Sequence, residues 1–172
     1  MMTIAAYGVP GVGKTWAVYE FMKHVGFGIE KKIELVLYHD LGNAVVLGKY
    51  NGEKFQGTDK MSMAVAPSFV EFFSTMKEQG KQLIIGEGDR VNNWPFLDNA
   101  NKNGKITRIR VTCDMQTLQI QRAQRHHEFS SQFLKTVQAK VDKHNYDQIL
   151  TSENLKNYLI EQYENDRKPN SQ

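Results

Sequence analysis

Residues 8 to 15 read Gly8-Val9-Pro10-Gly11-Val12-Gly13-Lys14-Thr15, with the Gly-x-x-x-x-Gly-Lys-Thr spacing of a phosphate-binding loop. An apolar run, Thr3 to Tyr7, precedes it and a helix-forming run begins at Lys14, which is the strand-loop-helix setting this chemistry needs. The residue types share one purpose. Gly8, Gly11 and Gly13 let the backbone wrap tightly, and with Val12 they form a cradle of N–H groups that the positive end of the next helix reinforces. Lys14 is expected to reach the β- and γ-phosphates, and the Thr15 hydroxyl to hold Mg²⁺. ATP and Mg²⁺ are therefore the expected nucleotide and ion.

A second group lies in "LIIGEGDR", where an apolar strand ends on Glu87, Asp89 and Arg90. A carboxylate there suits metal binding or removal of a proton from an attacking hydroxyl. Glu87 is the candidate for metal or base work and Asp89 for base or substrate contact; the sequence leaves the division between them open. Arg122 and Arg125, three apart in a polar helical span from about 115 to 144, can project from one helix face toward a transferring phosphoryl group. His126 and His127 are adjacent, fall on different faces of such a helix, and make a poor metal pair.

These groups need a scaffold. Strands are expected at Thr3 to Tyr7, within "KIELVLYHD", at "QLIIGEGD", "KITRIRVTCD" and "YDQIL", with helices after most of them. Pro67 opens a helix on which Phe69, Val70, Phe73 and Met76 recur at helical spacing, and "SENLKNYLIEQY" is an amphipathic last helix. Asn51-Gly52 between extended runs signals a hairpin. Alternating strands and helices imply an α/β fold in three layers, with a mainly parallel five-stranded sheet, ligands at the carboxyl ends of its strands, a helical lid and a β-hairpin insertion. The expected organisation is one domain over residues 1 to 165, with the lid at 115 to 144 and a flexible tail from 166 to 172. Trp94, beside Pro95, and Phe96 are expected to pack, as are Trp16 and the Met61 and Met63 pair.

The 172 residues are 40% hydrophobic and 24% charged, which is ordinary for a globular domain. No apolar run approaches membrane-spanning length and the N-terminus lacks a secretory pattern, so a cytoplasmic location and no membrane partner are expected. Cys113 is the only cysteine, so no disulfide forms within the chain. Residues 1 to 100 carry 10 Lys and Arg against 11 Asp and Glu, while residues 101 to 172 carry 12 against 8. The basic half suits a polyanionic partner. A GTPase is disfavoured, because Asn101-Lys102-Asn103-Gly104 lacks the Asp of the guanine-reading element.

The layout is similar to small adenylate-kinase-like and nucleoside-kinase folds. More particularly, Leu47-Gly48-Lys49-Tyr50, then Phe55-x-Gly57-Thr58-Asp59-x-Met61-Ser62-Met63, then Glu87-Gly88-Asp89-Arg90, resembles the phage-encoded P-loop 5-hydroxymethyluridine DNA kinases. The resemblance implies transfer of the ATP γ-phosphate to the hydroxymethyl group of 5-hydroxymethyluracil in DNA, in a host bacterial cytoplasm. The alternative is a kinase for a nucleoside, nucleotide or other small hydroxyl compound. Tyr50, Thr58, Asp59 and Arg90 are the expected substrate contacts. Tyr50, Phe55, Trp94 and Phe96 are candidate stacking partners for an extruded base; Thr58 or Asp59 would read its polar edge or, equally, cap a turn.

Overall fold

A computed structural model describes residues 1–50, 56–123 and 130–167. The order is β1 (Met2–Tyr7), α1 (Lys14–Val25), β2 (Ile29–Ile33), β3 (Val36–Asp40), β4 (Ala44–Leu47), α2 (Phe69–Glu78), β5 (Leu83–Glu87), α3 (Trp94–Asn103), β6 (Lys105–Val111), α4 (Met115–Ala123), α5 (Ser131–Lys143), β7 (Gln148–Leu150) and α6 (Ser152–Arg167). Among the described residues no helix is long and apolar enough to cross a membrane.

The sheet has seven strands, not five, in the order β2-β3-β4-β5-β1-β6-β7. Five of them, β4, β5, β1, β6 and β7, run parallel, while β2 and β3 add an antiparallel edge. The stretch expected as one strand, "KIELVLYHD", is a hairpin that turns at Glu34, where φ is +48°. The parallel strand is instead Ala44–Leu47, buried throughout. Burial explains the assignment: a strand covered on both faces must be apolar at every position, whereas Glu30, Lys31 and Lys32 of β2 are exposed and suit an edge, where charge discourages pairing with another chain. The signalled turn at Asn51-Gly52 lies outside the described residues. Lys49 and Gly57 on either side of it form an isolated antiparallel bridge.

Alternation along the strands builds two cores. Ile4, Val46, Ile85 and Ile109 face α1 and α6, meeting Phe21, Met22, Leu155 and Leu159. Ala5, Val45, Leu47 and Ile84 face the other way, onto Phe69, Phe72, Phe73 and Met76 of α2 and Phe96 of α3. Three layers result. Three residues expected to pack are exposed instead. Val70 is 62% exposed and Phe72 takes its place, because the buried stripe of α2 follows 69, 72, 73 and 76. Trp94 is 74% exposed at the first turn of α3, and Met63 is 80% exposed, while Phe96 and Met61 are buried as expected and Trp16 is half-buried against the first core. The last helix reaches Arg167, so helix extends into the segment expected as tail; residues 168–172 lie outside the described set.

Candidate active site

The phosphate-binding loop leaves the end of β1 and enters α1. Gly13 stands at the entry with φ +87°, and the helix begins when Ala17 N–H donates to the Gly13 carbonyl at 2.9 Å. A side chain at Gly13 would also meet Ser152 of α6 at 2.8 Å, so both conformation and space demand glycine. Lys14 folds back along the loop, its Nζ donating to the carbonyls of Gly8 at 2.8 Å and Val9 at 3.1 Å.

β5 lies next to β1, with Glu87 in register with Ala6, and this adjacency brings the acidic strand end to the loop. Thr15 Oγ1 donates to Glu87 Oε1 at 3.2 Å, and Tyr50 Oη donates to the same oxygen at 3.3 Å. Gly57 passes so close that a Cβ there would fall 2.2 Å from Glu87 Oε1. Thr58 follows, its Oγ1 donating to the Glu87 carbonyl at 2.5 Å. Burial pushes the Glu87 carboxyl above its ordinary range; the Lys14 charge pulls it back, and Asp59 pushes it up again.

The loop and three carboxylates open on one cleft of about 160 Å³, lined by loop residues with Lys14, Thr15, Asp59, Glu87 and Asp89. Phe133 and Val137 of α5 form its apolar wall. The sequence reading missed that wall. Its signal was the four-residue spacing of Phe133, Val137 and Val141 within a span read as polar. Tyr7, which lines the cleft beside Asp89, was not among the expected site residues; burial and the Asp89 charge raise its phenol well above the ordinary range, so it stays protonated.

The other expected site residues divide. Asp59 is exposed and faces the cleft. Asp89 sits where the cleft meets a second cavity of about 450 Å³, and Arg90 lines only that second cavity, its Nε donating to the Met61 carbonyl at 3.3 Å. Arg122 does come to the loop: its Nε donates to the Pro10 carbonyl at 3.0 Å. Arg125, Phe55 and the His126-His127 pair lie outside the described residues. Two assignments are corrected. Tyr50 is fully buried and cannot stack on a base; it holds Glu87 from behind and receives structural support from His39, whose Nε2 accepts the Tyr50 N–H at 3.2 Å while Nδ1 donates to the Phe27 carbonyl at 3.0 Å. Thr58 is also fully buried, with its hydroxyl committed to the Glu87 carbonyl.

Thr15 and Glu87 offer hard oxygens side by side, the donor type Mg²⁺ prefers. Among the described residues no group of three or more His, Cys, Asp or Glu could hold a metal ion.

No protein-family model matches the chain, and no curated protein matches it. Among solved structures, the chain is similar to a sugar kinase from Janibacter sp., with a TM-score of 0.48 and 11% identity over 95% of this chain and 92% of that one. It is similar also to a gluconokinase from Sinorhizobium meliloti, with a TM-score of 0.48 and 10% identity over 96% of this chain and 97% of that one. These likenesses assign no substrate to the chain.

Proposed function

We propose that the chain is an ATP- and Mg²⁺-dependent phosphotransferase whose acceptor is a hydroxyl, and that this hydroxyl is the hydroxymethyl group of 5-hydroxymethyluracil in DNA. The observation that carries the phosphotransferase reading is the shared cleft: the loop with Lys14 and Thr15 faces Glu87 and Asp89 across a single cavity. The acceptor assignment rests on the Gly57-Thr58-Asp59 and Glu87-Gly88-Asp89-Arg90 motifs.

In this reading Lys14 turns from the loop carbonyls to the β- and γ-phosphates and neutralises charge that builds on them. Thr15 and Glu87 would hold Mg²⁺, which when bound supplies charge neutralisation at the β- and γ-oxygens. Asp89, at the mouth of the second cavity, accepts the hydroxyl proton as the acceptor oxygen bonds to the γ-phosphorus. The bond from that phosphorus to the bridging oxygen breaks, and ADP leaves with its electron pair. Tyr7, protonated and beside Asp89 in the cleft, is placed to orient it. Arg122 braces the loop at Pro10. Helices α4 and α5 act as the lid, with Phe133 and Val137 of α5 excluding water from the cleft.

A second reading, a kinase for a free nucleoside or other small hydroxyl compound, is favoured by the size of the cavity beside Asp89, about 450 Å³, which is within the usual range for small-molecule sites. The test uses γ-labelled ATP with DNA containing 5-hydroxymethyluracil, the same DNA with thymine, and free nucleosides. Label on the modified DNA alone supports the main reading. Label on free nucleosides alone supports the second, and label on no acceptor overturns both.

A further inference from the structure

The cleft is the first of three linked cavities. Tyr7 and Asp89 are common to the first and second, and Asn92 and His144 are common to the second and a third of about 420 Å³. The third is built from α3 and β6. Trp94 stands on its rim, 74% exposed. Arg108 forms its floor: Nη2 donates to Asn92 Oδ1 at 3.2 Å and the guanidinium lies 5.5 Å above the centre of the Tyr146 ring. Its Nε is buried and, among the described residues, is the one buried side-chain nitrogen or oxygen without a hydrogen-bond partner.

An atom so enclosed is out of reach of a ligand in the cavity, so an occupant meets Arg108 through its Nη nitrogens and its charge. An exposed indole beside it is the usual platform for a nucleic-acid base. Charge agrees with an anionic occupant: Arg90 and Lys140 outnumber Asp89 around the second cavity, Arg108 lines the third, and Asp98 on its rim is neutralised by Lys102 at 2.6 Å. We infer that the third cavity binds the nucleotide next to the one being phosphorylated, on an unpaired stretch of DNA. Trp94 stacks its base, and a backbone phosphate oxygen accepts from the Arg108 guanidinium. This rests on the DNA reading above and adds to it a strand path, from the cleft past Asp89 and Asn92 to Trp94. Single-stranded or locally opened DNA is required, because a base stacked within a duplex cannot lie on the indole.

The experiment is equilibrium binding, which needs no turnover and so fails or succeeds independently of phosphoryl transfer. The probe is a fluorescein-labelled single-stranded oligonucleotide with one central 5-hydroxymethyluracil, read by anisotropy at several salt concentrations. Trp94→Ala is expected to weaken binding ~10-fold or more, as loss of one base-aromatic stack does. Arg108→Gln is expected to weaken binding and to flatten the slope of log K against log salt by ~0.7, the value for one phosphate contact on a single strand. Trp94→Phe, which keeps a stacking ring, should recover most of the affinity and guards against a folding defect. Binding equal in wild type and Trp94→Ala would overturn the inference, as would no binding at all or a duplex held more tightly than the single strand. Transfer to no acceptor in the labelling assay, with the anisotropy results as expected, would instead strike only the phosphotransferase reading.

Discussion

The two ends of the linked cavities are built on opposite principles. At the phosphate-binding end four polar side chains have protein partners already: Lys14 lies on loop carbonyls, Thr15 and Tyr50 converge on one oxygen of Glu87, and Thr58 ties the strand end to the segment beyond Gly57. At the α3 and β6 end an indole is exposed and Met63 is exposed nearby. The difference separates chemistry from recognition. On the proposed reading, the groups around Glu87 are fixed before phosphoryl transfer and Lys14 alone turns to the phosphates, whereas groups that meet a variable partner are left open.

The strongest way to break the contrast is at the fixed end. Lys14→Ala should lower kcat by ~10³-fold, since stabilising the developing phosphate charge is the principal catalytic effect in this class. A steady-state rate within tenfold of wild type would remove Lys14 from the mechanism.

Glu87 is the next most sensitive position, and its two effects have opposite signs. Glu87→Gln should reduce kcat by ~10²-fold, as removal of one preorganised electrostatic partner does. It should also raise Tm at neutral pH. The folded carboxyl is raised, so the native chain holds its proton more firmly than the unfolded chain; stability from this group is greatest in acid and declines as pH climbs through the raised value. An amide has no such decline, and the Tm of the variant should vary less with pH in that window. Thermal melts at a series of pH values check this.

Gly57→Ala tests the fixed end through its backbone. Gly57 has φ +52°, and the added methyl would press on Glu87 Oε1. Destabilisation of ~1–3 kcal/mol is expected from strain of this kind, together with a fall in kcat, and chemical denaturation measures the first.

The smallest effect concerns His39. Burial lowers its pKa, and its neutral form with hydrogen on Nδ1 serves both Phe27 and Tyr50. Its contribution is complete above the ordinary histidine value and is lost as pH falls below it, so His39→Gln should flatten the acid side of the stability profile. An unchanged acid limb in that variant would show that His39 does not set it.

How the sequence carried this information varied along the chain. The loop was fully legible, because its glycines, lysine and threonine are dictated by local geometry. The strand ending on Glu87 was legible for the same reason: a continuous apolar run stops at charge. The edge hairpin was not, since "KIELVLYHD" has apolar residues on both sides of a turn made by Glu34, a residue with no turn signature. Tyr50 was unreadable in a different way. An aromatic beside a binding motif looks the same in sequence whether it stacks on a ligand or, as here, bonds to a carboxylate 37 residues away. Trp94 shows the converse, an apolar residue beside proline whose exposure is set only by where α3 meets the sheet.

The central claim is a division of labour between two carboxylates, Glu87 with Thr15 at the ion and Asp89 with Tyr7 at the acceptor. Single-turnover transfer to the modified oligonucleotide, measured across Mg²⁺ concentrations, tests it most directly. Glu87→Gln should shift the Mg²⁺ requirement upward, whereas Asp89→Asn should keep that requirement and lower the rate at saturating Mg²⁺ by ~10²–10⁴-fold, as loss of a general base does. The reverse pattern, with Asp89→Asn moving the Mg²⁺ requirement and Glu87→Gln leaving it in place, would contradict the account.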